Sequence, residues 1–253
     1  MKISLITATY NSASTLRDTM QSVLNQTFKD IDYIIVDGGS KDGTFDIVKE
    51  FEPLFEGRLR WVSEPDKGIY DAMNKGIKMA TGEVIGTLNS DDFFAYDDIL
   101  EKVNATFANN PTVDGVYGDV VYVDNQDVTK VVRHYSSARF SRNKIIYGFM
   151  PAHPSFYLKK SCYDKIGCYN TDYRISADYD MFVRLFWNEN ITTKYIPTDF
   201  VVMRNGGASS SGLKSHKIIM REHLASVREH GVPSNFFLQS LRYFSKIIDL
   251  IIK

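Results

Sequence analysis

Val84-Ile85-Gly86-Thr87-Leu88-Asn89-Ser90-Asp91-Asp92 is the stretch on which the reading of this chain turns. Its first five residues are apolar or small and predict a buried strand. That strand runs directly into two adjacent carboxylates, Asp91 and Asp92. In an open parallel sheet the ligand crevice lies just beyond the carboxyl ends of the strands. Neighbouring acids at such a rim repel each other and lose hydration, so a cation is expected against them. A hard divalent ion, Mn²⁺ or Mg²⁺, prefers carboxylate and phosphate oxygens. The alternative is a capping role, with Asp91 or Asp92 starting a helical segment near Tyr96.

Upstream of this stretch, Ile3 to Tyr10 is a β-branched run that predicts a first strand, closed by Asn11-Ser12. Ser14 to Gln26 carries Leu16, Met20, Val23 and Leu24 at helical spacing. Tyr33-Ile34-Ile35-Val36 predicts a second strand, Asp46 to Phe55 a second helix and Leu59 to Val62 a third strand. Ile69, Met73 and Ile77 recur every four residues, which places an apolar face on a third helix ending near Thr81-Gly82. Strands and helices alternating in this way predict an α/β fold with a doubly wound, mostly parallel sheet flanked by helices.

Each strand delivers polar residues at one end: Thr9-Tyr10-Asn11, Asp37-Gly38-Gly39-Ser40, Ser63-Glu64-Pro65-Asp66 and Asn89-Ser90-Asp91-Asp92. All are ordinary turn residues taken singly. Four such groups along one sheet edge make a candidate ligand rim. Asp37 can accept a hydrogen bond from a base N–H, and Gly38 and Gly39 let a flat ring approach the backbone. There is no Gly-x-Gly-x-x-Gly after the first strand and no phosphate-binding Gly-x-x-x-x-Gly-Lys-Ser/Thr, which argues against a dinucleotide fold and a P-loop. A nucleoside diphosphate held by metal and carboxylates is the chemistry that remains.

Composition sets outer bounds. With 253 residues, 43% hydrophobic and 24% charged, the chain can bury a substantial core. A formal net charge of −1 offers no electrostatic case for a nucleic-acid partner. Two cysteines, Cys162 and Cys168, make neither a disulfide framework nor a zinc cluster, and a reducing compartment is the simplest inference. The N-terminus turns polar too soon for a signal peptide, and no run of about 18 apolar residues predicts a membrane span. The expected location is cytoplasmic.

In the second half, Asp98 to Phe107 predicts a helix, and Val116 to Val123 with Thr129 to Arg133 an antiparallel pair. Ser136 to Gly148 is a basic loop carrying Arg139, Arg142 and Lys144, read as a solvated connection or as a lid facing phosphates. His153, between Pro151 and Pro154, can simply anchor a turn. Ser176 is placed to cap a helix beginning at Ala177. Asp178 then shares an inward face with Phe182 and Leu185; burial would raise its pKa and the helix end would lower it. Asp180 precedes Arg184 by four residues, the spacing of a surface ion pair. Asp178 therefore reads as the functional acid and Asp180 as the structural one. His216, His223 and His230 recur every seven residues and read as a surface seam, because ligating pairs normally stand three or four apart.

Thr7 to Asn11, Val36 to Thr44, Ser63-Glu64-Pro65-Asp66-Lys67-Gly68-Ile69-Tyr70-Asp71-Ala72-Met73-Asn74-Lys75-Gly76 and Asn89 to Asp92 together resemble family-2 glycosyltransferases of the GT-A fold, of bacterial surface-polysaccharide type. The resemblance implies a nucleotide-sugar donor, usually UDP-linked, with Asp37 and Asp66 at the base and Thr9 and Asn11 on the nucleotide wall. Tyr10, Gly38, Gly39, Asn74, Asn89, Ser90 and Asp91 complete the expected donor-binding set. Asp91 and Asp92 match the family's acidic metal motif, with Asn89 where many relatives have a first Asp. Asp178 matches the catalytic base, although Ala177 replaces the usual Glu. His153 falls where a His–Pro or His–Gln pair stands close to the acceptor site, and Asn205-Gly206 replaces a histidine that many relatives use as a further metal ligand.

The expected activity is inverting transfer of a hexose or N-acetylhexosamine to a hydroxyl of a glycan or lipid-linked acceptor in polysaccharide biosynthesis. A sugar nucleotidyltransferase and an inactive sugar-nucleotide-binding protein are the alternatives. Residues 1–212 are read as one catalytic domain, with donor half 1–100 and acceptor half 101–212, followed by a helical tail over 213–253. In the tail, Phe237, Leu241, Phe244, Ile248 and Ile251 follow helical spacing among Arg242, Lys246 and Lys253. That face must be covered by the body, by a second subunit in a dimer, or by lipid at the inner face of the cytoplasmic membrane.

Overall fold

β1 (Ile3–Thr9) and β2 (Ile31–Asp37) bury all seven of their residues, as strands of a parallel sheet covered on both faces must. They belong to a computed structural model that describes residues 1–206 and 212–242. Between and after them come α1 (Leu16–Leu24), α2 (Thr44–Phe51), β3 (Leu59–Ser63), α3 (Ile69–Met79) and β4 (Val84–Thr87). The strands pair in parallel in the order β3-β2-β1-β4. Pleating sends alternate residues to opposite faces. Ile3 and Leu5 pack with Leu16, Met20 and Val23 of α1. Ile6 and Ala8 enter the opposite core with Met73 and Ile77 of α3.

The second half builds β5 (Phe93–Phe94), α4 (Ile99–Asn109), β6 (Gly115–Val123), β7 (Val131–Tyr135), β8 (Phe156–Lys159), α5 (Lys160–Ile166), α6 (Ala177–Val183), β9 (Thr193–Arg204) and α7 (Leu213–Glu229). β8 lies antiparallel between β4 and β6 and joins the two halves into one sheet. Gly86 permits that junction, because a Cβ there would stand 2.3 Å from the Tyr157 ring. The expected antiparallel pair is β6 with β7. β9 runs parallel to β6, and its far end pairs with β5, Phe93 opposite Val202. Arg204 is thereby delivered beside the loop of paired acids. Cys162 and Cys168 are free thiols.

α7 lies against α6, and its Val227 is fully buried in the core that holds Phe182. His216 is exposed, as a surface seam requires, but the other two histidines of the stripe are not at the surface. His223 is buried, its ring stacked 3.6 Å from that of Tyr179, and His230 lies 3.1 Å from the Asp180 carboxylate. The helical segment 236–242 turns Gln239 and Arg242 inward, Gln239 donating to the Tyr179 hydroxyl at 3.0 Å, and leaves Phe236 and Phe237 exposed. Phe244, Lys246, Ile248, Ile251 and Lys253 lie outside the described residues. Among the described residues no helix is long and apolar enough to cross a membrane.

Candidate functional site

Strand register builds the rim. Thr9, Asp37 and Ser63 are direct neighbours across β1, β2 and β3. β4 ends with Thr87 opposite Ile6, so Asn89 to Asp92 leave the sheet at the same edge. Asp37 is buried, and its carboxylate accepts from the Ser40 N–H at 3.0 Å, the Ser63 hydroxyl at 2.6 Å and the Ser40 hydroxyl. Asn11, at a left-handed φ of 49°, ties the facing loops: its Oδ1 accepts from the Lys41 N–H at 3.0 Å and its N–H donates to Ser40 Oγ at 2.8 Å. The Thr9 hydroxyl is buried and has no hydrogen-bond partner among the described residues.

Gly38 faces Asp66 and Tyr10. A Cβ at Gly38 would stand 2.4 Å from Asp66 Oδ2 and 3.3 Å from the Tyr10 ring, so these three residues line one spot. Gly39, at φ +81°, turns the chain beside Pro65 in a conformation that favours glycine. Asp66 Oδ1 accepts from the Gly68 N–H at 2.8 Å, and α3 starts at the next residue.

The acid loop is braced from α1's side. Ser90 Oγ pairs with Ser12 Oγ at 2.9 Å, and Thr15 donates to the Ser90 carbonyl at 2.9 Å. Asn89 donates its amide to Asp92 Oδ2 at 2.8 Å. Asp92 is 1% exposed and Asp91 half-buried. Burial pushes both carboxyls up, and the Asp91 charge pushes Asp92 further. Arg204 sends one guanidinium nitrogen to the Asp91 carbonyl at 2.6 Å and the other to the Asp18 carboxylate, so neither bond reaches the paired carboxylates and its charge offsets their burial only in part. Two crowded, under-compensated hard oxygen donors fit a divalent cation. A capping role finds no hydrogen-bond support, since α4 takes Asp98 at its start. Among the described residues the tighter clusters of possible ligands lie elsewhere, at Asp119, His134 and Asp199 and at Asp180, Glu229 and His230. Asp119 already accepts from Ser137 N–H and the Tyr195 hydroxyl, and Asp180 is ion-paired within the fold.

Across from the rim, Asp178 opens α6, half-buried, with Oδ1 accepting from the Tyr179 N–H at 2.8 Å. Burial is the largest influence and raises its carboxyl to about 6, against the backbone N–H groups and the Tyr70 hydroxyl, which lower it. Tyr70 reaches over from α3, donating to the Ile175 carbonyl and lying 3.4 Å from Asp178 Oδ1. Asn74 spends both ends of its amide on the backbone of Tyr169, each at 2.9 Å. His153 bonds the Tyr169 hydroxyl at 2.6 Å, and burial pushes its imidazole down to about 4, neutral at physiological pH.

Two local expectations fail here. The Ser176 hydroxyl makes no cap and is buried without a partner; the three N–H groups of Arg174, Ile175 and Ser176 instead bond the carboxylate of Glu222, on α7. The Asp180–Arg184 pair is buried, with Asp180 1% exposed, because α7 covers it and adds Ser226 at 2.9 Å and His230. Tyr70, Arg204 and Glu222 escaped the sequence reading. Tyr70 lies inside a quoted motif but reads as one more apolar helix position, and nothing local marks Glu222 or Arg204.

Known proteins resemble this chain in sequence and in fold. The model for glycosyl transferase family 2 matches residues 4–174. The PGL/p-HBAD biosynthesis glycosyltransferase of Mycobacterium bovis (strain BCG / Pasteur 1173P2) is 30% identical over 218 residues, which cover 86% of this chain and 82% of that protein. S. aureus TarS 1–349 in complex with UDP-GlcNAc superposes with a TM-score of 0.71 at 20% identity, over 90% of this chain and 66% of that one. A longer TarS structure is spanned over 40% of its length. The mannosyltransferase PcManGT from Pyrobaculum calidifontis, in complex with GDP-Man and Mn²⁺, gives a TM-score of 0.62 at 16% identity over 98% and 80%. The structural likenesses carry the fold, which is the GT-A fold. Since the matched residues run from β1 through the rim to the loop before α6, the chain belongs to glycosyl transferase family 2.

Proposed function

We propose that this glycosyltransferase moves a hexose or N-acetylhexosamine from a nucleoside diphosphate, UDP-linked, to a hydroxyl of a glycan or lipid-linked acceptor, with inversion. The observation that carries the reading is Asp178, a half-buried carboxylate raised to about 6 and tied through Tyr70 to α3, the helix whose start Asp66 holds through the Gly68 N–H. The nucleotide-bound relatives TarS and PcManGT support the donor class. Tyr10, Gly38 and Asp66 form the wall for the base, and Asn74, whose amide holds the Tyr169 backbone, stays in the proposed donor-binding set.

Asp91 and Asp92 would hold Mn²⁺ or Mg²⁺, Asp91 first because it is the more exposed. A bound divalent ion supplies positive charge for the departing diphosphate. The acceptor oxygen bonds the anomeric carbon while that carbon's bond to the diphosphate oxygen breaks. Asp178 takes the hydroxyl proton, and the nucleoside diphosphate leaves with the bonding pair. Attack opposite the leaving group turns an α-linked donor into a β-linked product. A general base of this kind contributes about 10²–10⁴-fold.

The reading includes work at the inner face of the cytoplasmic membrane, for which the exposed Phe236 and Phe237 are the support. The test is a thermal-shift panel of UDP-Glc, UDP-Gal, UDP-GlcNAc and GDP-Man with Mn²⁺ or Mg²⁺, followed by product analysis of any stabilising donor. Nucleoside diphosphate release is expected. Pyrophosphate release would make the protein a nucleotidyltransferase, and binding without turnover would leave a sugar-nucleotide-binding protein.

A further inference from the structure

Glu222 stands in the middle of α7 and is 4% exposed. A carboxylate out of water is costly unless it is hydrogen-bonded. Here its oxygens accept from three successive backbone N–H groups, Arg174 at 2.9 Å, Ile175 at 3.0 Å and Ser176 at 2.9 Å. The same three residues form the entry to α6, two positions before Asp178. On their other side the Ile175 carbonyl accepts from the Tyr70 hydroxyl. The entry to the helix is therefore gripped from α7 through its N–H groups and from α3 through a carbonyl. The Ser176 hydroxyl does not replace Glu222, since it has no hydrogen-bond partner among the described residues.

We propose that Glu222 is a positioning residue for transfer: by binding the N–H groups of residues 174–176, it sets where the Asp178 carboxylate meets the acceptor. The proposal rests on the reading of Asp178 as the base. It places a determinant of the chemistry 44 residues beyond Asp178, on a helix outside the span matched by the family model. Misplacing a reacting group by about 1 Å can cost about 10²-fold, so a grip of this kind acts on rate and not on donor affinity. Its charge also acts: Asp178 is faced by Tyr70 of α3, by Tyr169 of the loop before α6 and by Glu222, and Glu222 is the one of these that pushes the Asp178 carboxyl up.

The experiment compares the full-length wild type with Glu222→Gln, Glu222→Asp and an Asp178→Asn control. Amide hydrogen exchange at residues 174–176 and ¹³C titration of the Asp178 carboxyl need no substrate. Turnover is read with water as acceptor and the donor selected by the panel, and calorimetry with UDP and Mn²⁺ reads donor-site binding. In Glu222→Gln the three amides are expected to exchange at least about tenfold faster, and Asp178 to titrate at lower pH because a negative charge is gone. In Glu222→Asp the titration stays and the exchange still quickens, because the carboxylate is drawn back. Turnover falls about tenfold or more in both while UDP affinity stays within about threefold. Unchanged exchange, turnover within twofold of wild type, or turnover and UDP affinity falling together would overturn the proposal. If the Gln variant does not fold, the Asp variant decides by the same exchange and rate criteria. Full turnover in Asp178→Asn would instead fault the base reading alone, while loss there with wild-type behaviour in both Glu222 variants would sink the positioning role alone.

Discussion

The Tyr70 hydroxyl lies 3.4 Å from Asp178 Oδ1, and these two residues join the halves of the site. Tyr70 is the second residue of α3, a helix whose start is pinned by Asp66 on the strand-end rim. Asp178 is the second residue of α6, whose entry is held by Glu222. One hydroxyl therefore links the Asp66 rim to the candidate base across 108 residues of sequence.

Asp178→Asn tests the base directly. Transfer should fall by about 10²-fold or more with UDP affinity retained, as removal of a general base does. The wild-type rate should rise with pH through a one-proton limb near the raised value of about 6. The same shift has a stability consequence of opposite sign. A folded-state value above the unfolded 3.8 means that the folded chain holds this proton more tightly. The resulting penalty on folding is absent at low pH, grows through the window between 3.8 and about 6, and is complete above it. Asp178→Asn should accordingly melt higher than wild type at about pH 8 and not at about pH 3.5; equal melting curves at both would refute the burial account.

Asp91→Asn should weaken the metal dependence of UDP binding while leaving the melting temperature near wild type, because among the described residues the half-buried Asp91 carboxylate makes no side-chain hydrogen bond or ion pair. Replacing Asp91 and Asp92 together should abolish metal-dependent affinity altogether. Calorimetry with UDP in the presence and absence of Mn²⁺ reads both. Unchanged affinity in the double variant would return the pair to a structural role.

Gly38→Ala puts a methyl group 2.4 Å from Asp66 Oδ2. The carboxyl end can swing away at little cost in stability, but it leaves the spot shared with Tyr10. Donor KM should rise several-fold with little change in kcat or melting temperature. A KM within error of wild type would remove Gly38 and Asp66 from the base wall.

Asp180 behaves unlike its neighbour two residues before it. Arg184, Ser226 and His230 converge on it inside the protein, and His230 and Arg184 hold its carboxyl below the ordinary range despite burial. Asp180→Ala leaves a cation buried without its partner and should cost about 3 kcal/mol. A depressed carboxyl contributes stability above its unfolded value and loses it as pH falls, so the deficit should shrink in acid. Urea unfolding at about pH 7 and about pH 3.5 measures both, and a loss below about 0.5 kcal/mol at neutral pH would mark the pair as a surface one.

The first hundred residues were legible because parallel strands buried on both faces are continuous apolar runs, and their ends carry turn residues at one edge. Ile3 to Thr9 and Ile31 to Asp37 show both signals, and Thr9, Asp37 and Ser63 do fall in register. β8 shows neither. It is four residues long, follows two prolines without a period, and owes its place to Gly86 on a strand 70 residues away. The environments of Asp178 and Asp180 were half legible. Helical spacing separated them correctly into two faces, but it could not reveal that α7 covers the Asp180 side. The same covering hid Glu222, whose partners are backbone N–H groups that carry no residue identity at all.

The segment 236–242 sharpens the membrane prediction. Its polar residues Gln239 and Arg242 face the body, while Phe236 and Phe237 are 64% and 69% exposed. Two adjacent exposed phenylalanines are a costly surface in water and a favourable one at a lipid headgroup boundary. Truncation of the segment would also remove Gln239 from Tyr179, so the cleaner variant is Phe236→Ser with Phe237→Ser. Co-sedimentation with anionic vesicles should capture the wild-type chain, weaken in the double variant, and weaken with added salt if basic residues contribute. The two serines should leave UDP affinity unchanged, because neither phenylalanine is one of the rim residues that would hold the donor. If wild type and variant both remain in the supernatant, the phenylalanines have no lipid partner.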